Sequence, residues 1–284
     1  MSDMTIGGSA MRQRRRQTNA ELERQWTERL RRELRRRQAL AWTLRLSLAA
    51  AILVSWQLVG HSKPLFTSYP TAVAQAAWDE ITSGELIKAL GSSFEILALG
   101  LLASVVIGIT LGLLIGRYAL FGKTVDWLIS ALNATPLLAA IPLIIVWFGL
   151  GMTSKVVVVF ALTVFSMILN TAAGVQEVER NVLDVGHAFV ASEGQIFRKI
   201  ILPSALPYIM TGLRISIGRA LIGTVAAEFF TGISGLGGLI QQYGASYKTD
   251  YMLVPVITLM LVGVGLTALA RRLERRAAPW RADD

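Results

Sequence analysis

Residues 95–116 read EILALGLLASVVIGITLGLLIG and carry a single charge, Glu95, at the edge of the run. As a helix at 1.5 Å per residue, this stretch is about 33 Å long, enough to cross a hydrocarbon core of about 30 Å. Gly100, Ser104, Gly108, Gly112 and Gly116 recur at every fourth position and form one ridge of small side chains. In lipid, helices associate by close packing rather than by escape from water, so such a ridge marks a helix–helix seam.

The same reading outward gives six apolar spans: 39–60, 95–116, 125–150, 155–173, 207–230 and 252–270. The expected fold is therefore all-α, a polytopic membrane protein with six transmembrane helices. The third span holds Asn133, Pro136 and Pro142. Proline removes a helix hydrogen bond and bends the axis, and the carbonyls it frees must face protein or a water-filled cavity. A translocation pathway supplies such a cavity; a kinked structural helix is the other reading.

Charge sets the expected orientation. With the N-terminus inside, the inside segments carry 21 of the 28 lysines and arginines and the outside segments carry 4. The positive-inside rule then puts both termini in the cytoplasm. The chain divides into an Arg-rich cytoplasmic tail (1–38), a transmembrane domain (39–270) and a basic cytoplasmic tail (271–284). Within the first tail, Thr18-x-x-Glu21 reads as a capping box, and Leu22, Trp26, Leu30 and Leu34 make an apolar stripe on a basic helix. That stripe fits either a helix lying on the lipid surface or a solvated extension of the first span. The net charge of +9 flanks apolar spans, so it is explained by topology and not by nucleic acid.

Little in the chain supports an enzyme. There are no cysteines, and His61 and His187 are the only imidazoles. The run from Gly116 to Gly122-Lys123-Thr124 fails as a phosphate loop, because five residues separate its glycines where four are needed. The glycines of 232–238 suit a tight or re-entrant turn on the outer side rather than a dinucleotide fingerprint. No metal set or cofactor site is expected. The informative segment is the inside loop 174–206, polar yet helically periodic through Val182, Val185, Phe189, Ile196 and Phe197. A structured cytoplasmic lobe of this kind is a natural docking surface for a motor.

This loop ends in Ile200-Ile-Leu202-Pro203, and Ala191-Ser192 lies ahead of it. In that spacing the chain resembles the permease subunits of bacterial binding-protein-dependent ABC importers. Their loop reads Glu-Ala-Ala, three residues, Gly, nine residues, Ile-x-Leu-Pro. Asp184, Val185 and Gly186 stand for Glu-Ala-Ala here, and Val190 stands for the glycine. Residues 135–155 (TPLLAAIPLIIVWFGLGMTSK) and 202–228 (LPSALPYIMTGLRISIGRALIGTVAAE) are similar to the sulfonate, taurine and nitrate branch.

The resemblance implies a homodimer in the cytoplasmic (inner) membrane, two copies of a cytoplasmic ATP-binding subunit on the 174–206 loops, and an extracytoplasmic solute-binding protein. It implies contact with the ATPase through Asp184, Val185, Gly186, His187, Val190, Ala191 and Ser192, followed by Ile200, Leu202 and Pro203. Implied substrates are small sulfonates, nitrate-like anions, aromatic acids or vitamin precursors. The rival reading is an ion-coupled secondary transporter, which would need intramembrane ionisable groups; only Arg214, Arg219 and Glu228 qualify.

Two local expectations follow. Val190 is β-branched and avoids left-handed backbone, so its turn is expected to be right-handed or extended. Arg219 lies twelve residues beyond Pro207, about 18 Å along the helix and near mid-membrane. Arg214 and Glu228 fall on other faces of the same helix. Arg219 therefore requires an acidic group on another helix, the carbonyls of the broken third span, or water in a pathway. A pathway lined by Asn133, Pro136, Pro142 and Arg219 is the expectation.

Overall fold

The computed structural model describes residues 36–61, 67–232 and 234–277, and among these it is helical without strands. Two compact units result, one covering residues 1–63 and the other 64–284. The described part of the first is a single apolar helix, α1 (Arg36–His61). The Arg-rich segment 12–35 and the end of the C-terminal tail lie outside the described residues.

The second unit is built from α2 (Pro70–Thr82), α3 (Glu85–Arg117), α4 (Ala119–Ala134), α5 (Ile141–Phe148), α6 (Met152–Gln176), α7 (Arg180–Ala188), α8 (Glu193–Ile196), α9 (Leu202–Thr231), α10 (Gly235–Ala245) and α11 (Thr249–Ala277). A π turn, Phe197–Ile201, joins α8 to α9 in one 39-residue helical run. Among the described residues five helical segments are long and apolar enough to cross a membrane, and the bent pair α4 and α5 makes a sixth.

The core is a three-helix sandwich of α3, α6 and α9. Ile96, Leu97, Val159 and Ala220 fill its centre, and Met167, Val175, Ile196, Ile201, Ala205 and Ile209 continue it toward α7 and α8. The small-residue ridge of α3 lies directly on α6. A Cβ added at Gly100 would fall 2.6 Å from Cβ of Val159, and one at Gly112 would fall 2.5 Å from Cβ of Thr171. Gly116 meets Val175 in the same way. The seam expected from the four-residue period is thus internal to the chain.

Two boundaries differ from the sequence reading for a physical reason. α3 starts at Glu85, ten residues before the apolar run, because Leu86 and Ala89 keep the helical face buried through a polar stretch. The third span is broken, as its prolines led us to expect, but at Pro136 and not at Pro142. α4 ends at Ala134, Pro136 enters a 3-10 turn (Leu137–Ala140), and the axis turns by 80° before α5. Pro142 sits in the first turn of α5, where its missing N–H removes no hydrogen bond.

At the end opposite the 177–192 loop, α2 buries Glu80 to 1% exposure, with neither carboxylate oxygen hydrogen-bonded. The Tyr243 hydroxyl donates to Glu85 instead, at 3.3 Å. Burial, aided by the nearby Glu85 charge, pushes the Glu80 carboxyl from the ordinary 4.5 up to about 7. The folded protein therefore holds this proton to a higher pH than the unfolded chain does. Stability should fall as pH rises through that window, and the loss should be complete above it. Glu80→Gln should flatten the profile and raise the melting temperature on the alkaline side. A melting curve whose pH dependence between about 4.5 and 7 is unchanged by the substitution would contradict this.

Candidate functional site

Loop 177–192, which contains α7, and the short helix α8 that follows it form a structured lobe. Gly186 is the buried residue of α7, and a Cβ there would lie 2.9 Å from Cδ1 of Ile200. The position therefore calls for a small residue because the π turn leans on it. Ser192 caps α8 through a reciprocal box: the Gln195 N–H donates to Ser192 Oγ, and the Ser192 N–H donates to Gln195 Oε1 at 2.8 Å. Glu193 is paired with Arg117 at the end of α3 and lies 3.5 Å from His187 Nε2. These contacts tie the lobe to the core helix α3.

The structure overturns the expectation for Val190. Its φ is +54°, in the left-handed region. The cause is the way α7 ends. The Val190 N–H donates to the His187 carbonyl at 2.8 Å, and the Ala191 N–H donates to the Gly186 carbonyl at 3.1 Å. That hydrogen-bond pair is a Schellman cap, and the residue after its C-cap must be left-handed. Val190 thus occupies a position suited to glycine, at a backbone cost of roughly 1–2 kcal/mol. Val190→Gly should stabilise the folded protein by about 1 kcal/mol, read as a higher melting temperature. A lower melting temperature would mean that the valine side chain contributes packing that outweighs the strain.

The side chains of Phe189 and Val190 stand out from the cap, 83% and 90% exposed. Asp184, Val185, His187 and Ser192 are also exposed, while Ala191, Ile200, Leu202 and Pro203 are half-buried. With Val182 and Val185, also exposed, Phe189 and Val190 give the lobe a group of apolar side chains open to contact by another surface. Phe189 was absent from the sequence-derived site, where it counted only toward the helical period of the loop.

The residues expected to line a pathway partly converge. Asn133, Pro136, Leu162, Arg219 and Ile222 line one cavity of about 300 Å³ at the break between α4 and α5. Pro142 does not line it. Among the described residues Arg219 has no ion pair, whereas Arg214 is paired with Glu274 of α11. α9 begins before Pro207, so the depth of Arg219 is better counted from the Arg214–Glu274 pair. It lies five residues, or about 7.5 Å, further along the helix.

Glu228, the acidic group that an ion-coupled reading would use, is fixed by structure. Ser93 Oγ donates to its Oε1 at 2.6 Å, and the Gly237 N–H donates to Oε2 at 2.7 Å. It anchors the first turn of α10 to α3 and α9, with Lys155 Nζ donating to Ser234 nearby at 2.7 Å. Gly235, at φ +85°, leaves room for the carboxylate that a side chain would displace. None of these partners adjoins Glu228 in sequence, so no local pattern pointed to the network.

The family described as the binding-protein-dependent transport system inner membrane component matches residues 104–279, more than half of the chain. The chain belongs to this family. As a transport system inner membrane component, it is an ABC transporter permease subunit for small-solute import and a multi-pass protein of the cytoplasmic membrane. Members of the family are membrane components rather than enzymes, and they work with an ATP-binding subunit and a substrate-binding protein.

Relatives place this inner membrane component in the sulfonate, taurine and nitrate branch. It is 30% identical to the taurine transport system permease protein TauC of Escherichia coli, over 85% of this chain and 90% of the other. It is 32% identical to the putative aliphatic sulfonates transport permease protein SsuC of Bacillus subtilis, over 86% and 90%. Identity to the nitrate import permease protein NrtB of Leptolyngbya laminosa is 32%, over 84% and 90%. An inward-facing structure of the MetNI methionine ABC transporter shares the fold, with a TM-score of 0.61 at 21% identity, covering 70% of this chain and 98% of that one.

Proposed function

We propose that the protein imports a small anion, of the sulfonate or nitrate-like class, and that ATP hydrolysis in two partner subunits drives it. Two copies of the chain form the pathway, with both termini and the 177–192 lobe in the cytoplasm. In this reading 1–38 and 271–284 are cytoplasmic tails around a membrane domain at 39–270. The motors dock on the lobe through Asp184, Val185, His187, Phe189, Val190 and Ser192. Gly186, Ala191, Ile200, Leu202 and Pro203 hold the docking surface in shape. Closure of the motors moves the lobe, and the Arg117–Glu193 pair passes that movement to α3. An external binding protein delivers the solute.

The observation that carries the substrate class is Arg219, a guanidinium without an ion partner among the described residues, in the cavity beside Asn133 and Pro136. An arginine within the bilayer is costly unless it faces protein or water, and its planar fork matches a carboxylate, sulfonate or nitrate. The similarity to permeases named for taurine, aliphatic sulfonates and nitrate supports the same class. Losing a hydrogen bond to a charged group costs about 1.5–3 kcal/mol, so Arg219→Gln should slow anion uptake roughly tenfold or more. Assembly and basal ATPase activity should be unchanged, and Arg219→Lys should fall between. Anion uptake at the original rate in Arg219→Gln would refute the role.

A further inference from the structure

We propose that the groove between α9 and α11 is a binding site for one anionic phospholipid. The groove has a volume of about 630 Å³ and is distinct from the cavity at Arg219. Its walls are apolar: Ile217, Gly218 and Leu221 from α9 face Met260, Gly263 and Val264 from α11. One end of it is closed by Arg271, Arg272 and Arg275.

Length, charge and floor all fit a lipid. Met260 to Arg271 spans eleven residues, about 16 Å of helix, and half of a bilayer core is about 15 Å. An acyl chain lying along the apolar part therefore brings its headgroup to the arginines. Residues 271, 272 and 275 sit three and four positions apart and share one side of the helix. The acidic residue among them, Glu274, is already paired with Arg214, so the guanidiniums at the groove mouth keep their charge for an outside anion. Gly218 forms an open floor, since a Cβ added there would meet nothing within 4 Å. An arginine-flanked helix such as α1, coming from a second copy of the chain, would bring like charges together at this mouth. An anionic headgroup would neutralise it.

The test is photolabelling of the full chain in phosphatidylethanolamine vesicles. These contain either a phosphatidylglycerol or a phosphatidylcholine with a photoactivatable acyl chain, and the labelled peptides are mapped. The phosphatidylglycerol probe should label the stretches around Gly218 and Met260 in strong preference to the phosphatidylcholine probe. Each basic residue near an anionic surface contributes roughly fivefold to binding. Arg271→Gln, Arg272→Gln and Arg275→Gln together should abolish the preference, and the corresponding lysine replacements should keep it. Gly218→Leu should fill the floor without a clash and lower labelling by both probes. Equal labelling by the two probes, a preference that survives the glutamine replacements, or labelling that misses the stretches around Gly218 and Met260 would each overturn the proposal. If the glutamine variant is not recovered from membranes, Gly218→Leu decides, and unchanged labelling in that variant overturns it.

Discussion

Gly108→Leu should leave no folded protein in the membrane. A side chain at Gly108 has no room, because its Cβ would clash with the Cβ of Met167, which is fully buried. The Val164 carbonyl, 3.3 Å from the same point, closes the alternative of a small shift. The contact repeats along the seam at Gly100, Gly112 and Gly116, so parting the helices at one point strains the other three. Overpacking costs about 3 kcal/mol at its upper end, and here it acts on the pair of helices that carries the core. In lipid no gain from excluding water compensates, because the seam is held by packing. Loss of the monodisperse peak on size-exclusion chromatography is the expected result. Gly91→Leu is the control, since Gly91 is exposed on the same helix and its Cβ would meet nothing within 4 Å. Normal recovery of Gly108→Leu would mean that the α3–α6 seam is looser than its geometry.

Phe189→Asp should separate the permease from its ATPase. The side chain is 83% exposed at the tip of the lobe, so its replacement removes almost no packing within the chain. Buried aromatics at the centre of an interface are typically worth 2 kcal/mol or more, about thirtyfold in Kd. An aspartate there would also have to lose its hydration on docking. The variant should be monodisperse with an unchanged melting temperature, yet fail to pull down the ATP-binding subunit. Retention of the ATPase at the original affinity would remove Phe189 from the docking surface.

The spans were legible because apolar length and the four-residue spacing of small side chains are local properties. The period from Gly100 to Gly116 identified the seam, and the structure supplied only the partner, α6. The break at Pro136 was legible for the same reason, though not the 80° turn, which depends on what α5 packs against. Val190 shows where local rules stop. Steric preference argued against a left-handed valine, but the hydrogen bonds that end α7 override a preference of 1–2 kcal/mol. Phe189 was left out of the candidate site because helical spacing alone does not distinguish a face turned to the core from one turned outward. Glu228 went unread because Ser93 and Gly237 reach it from other helices.

Uptake into proteoliposomes holding the permease and its ATP-binding subunit tests the central claim most directly. The assay supplies the solute-binding protein loaded with a radiolabelled sulfonate. The expected result is uptake that requires ATP and the binding protein and that vanadate abolishes. Uptake that proceeds without ATP and follows an imposed proton or sodium gradient would contradict it.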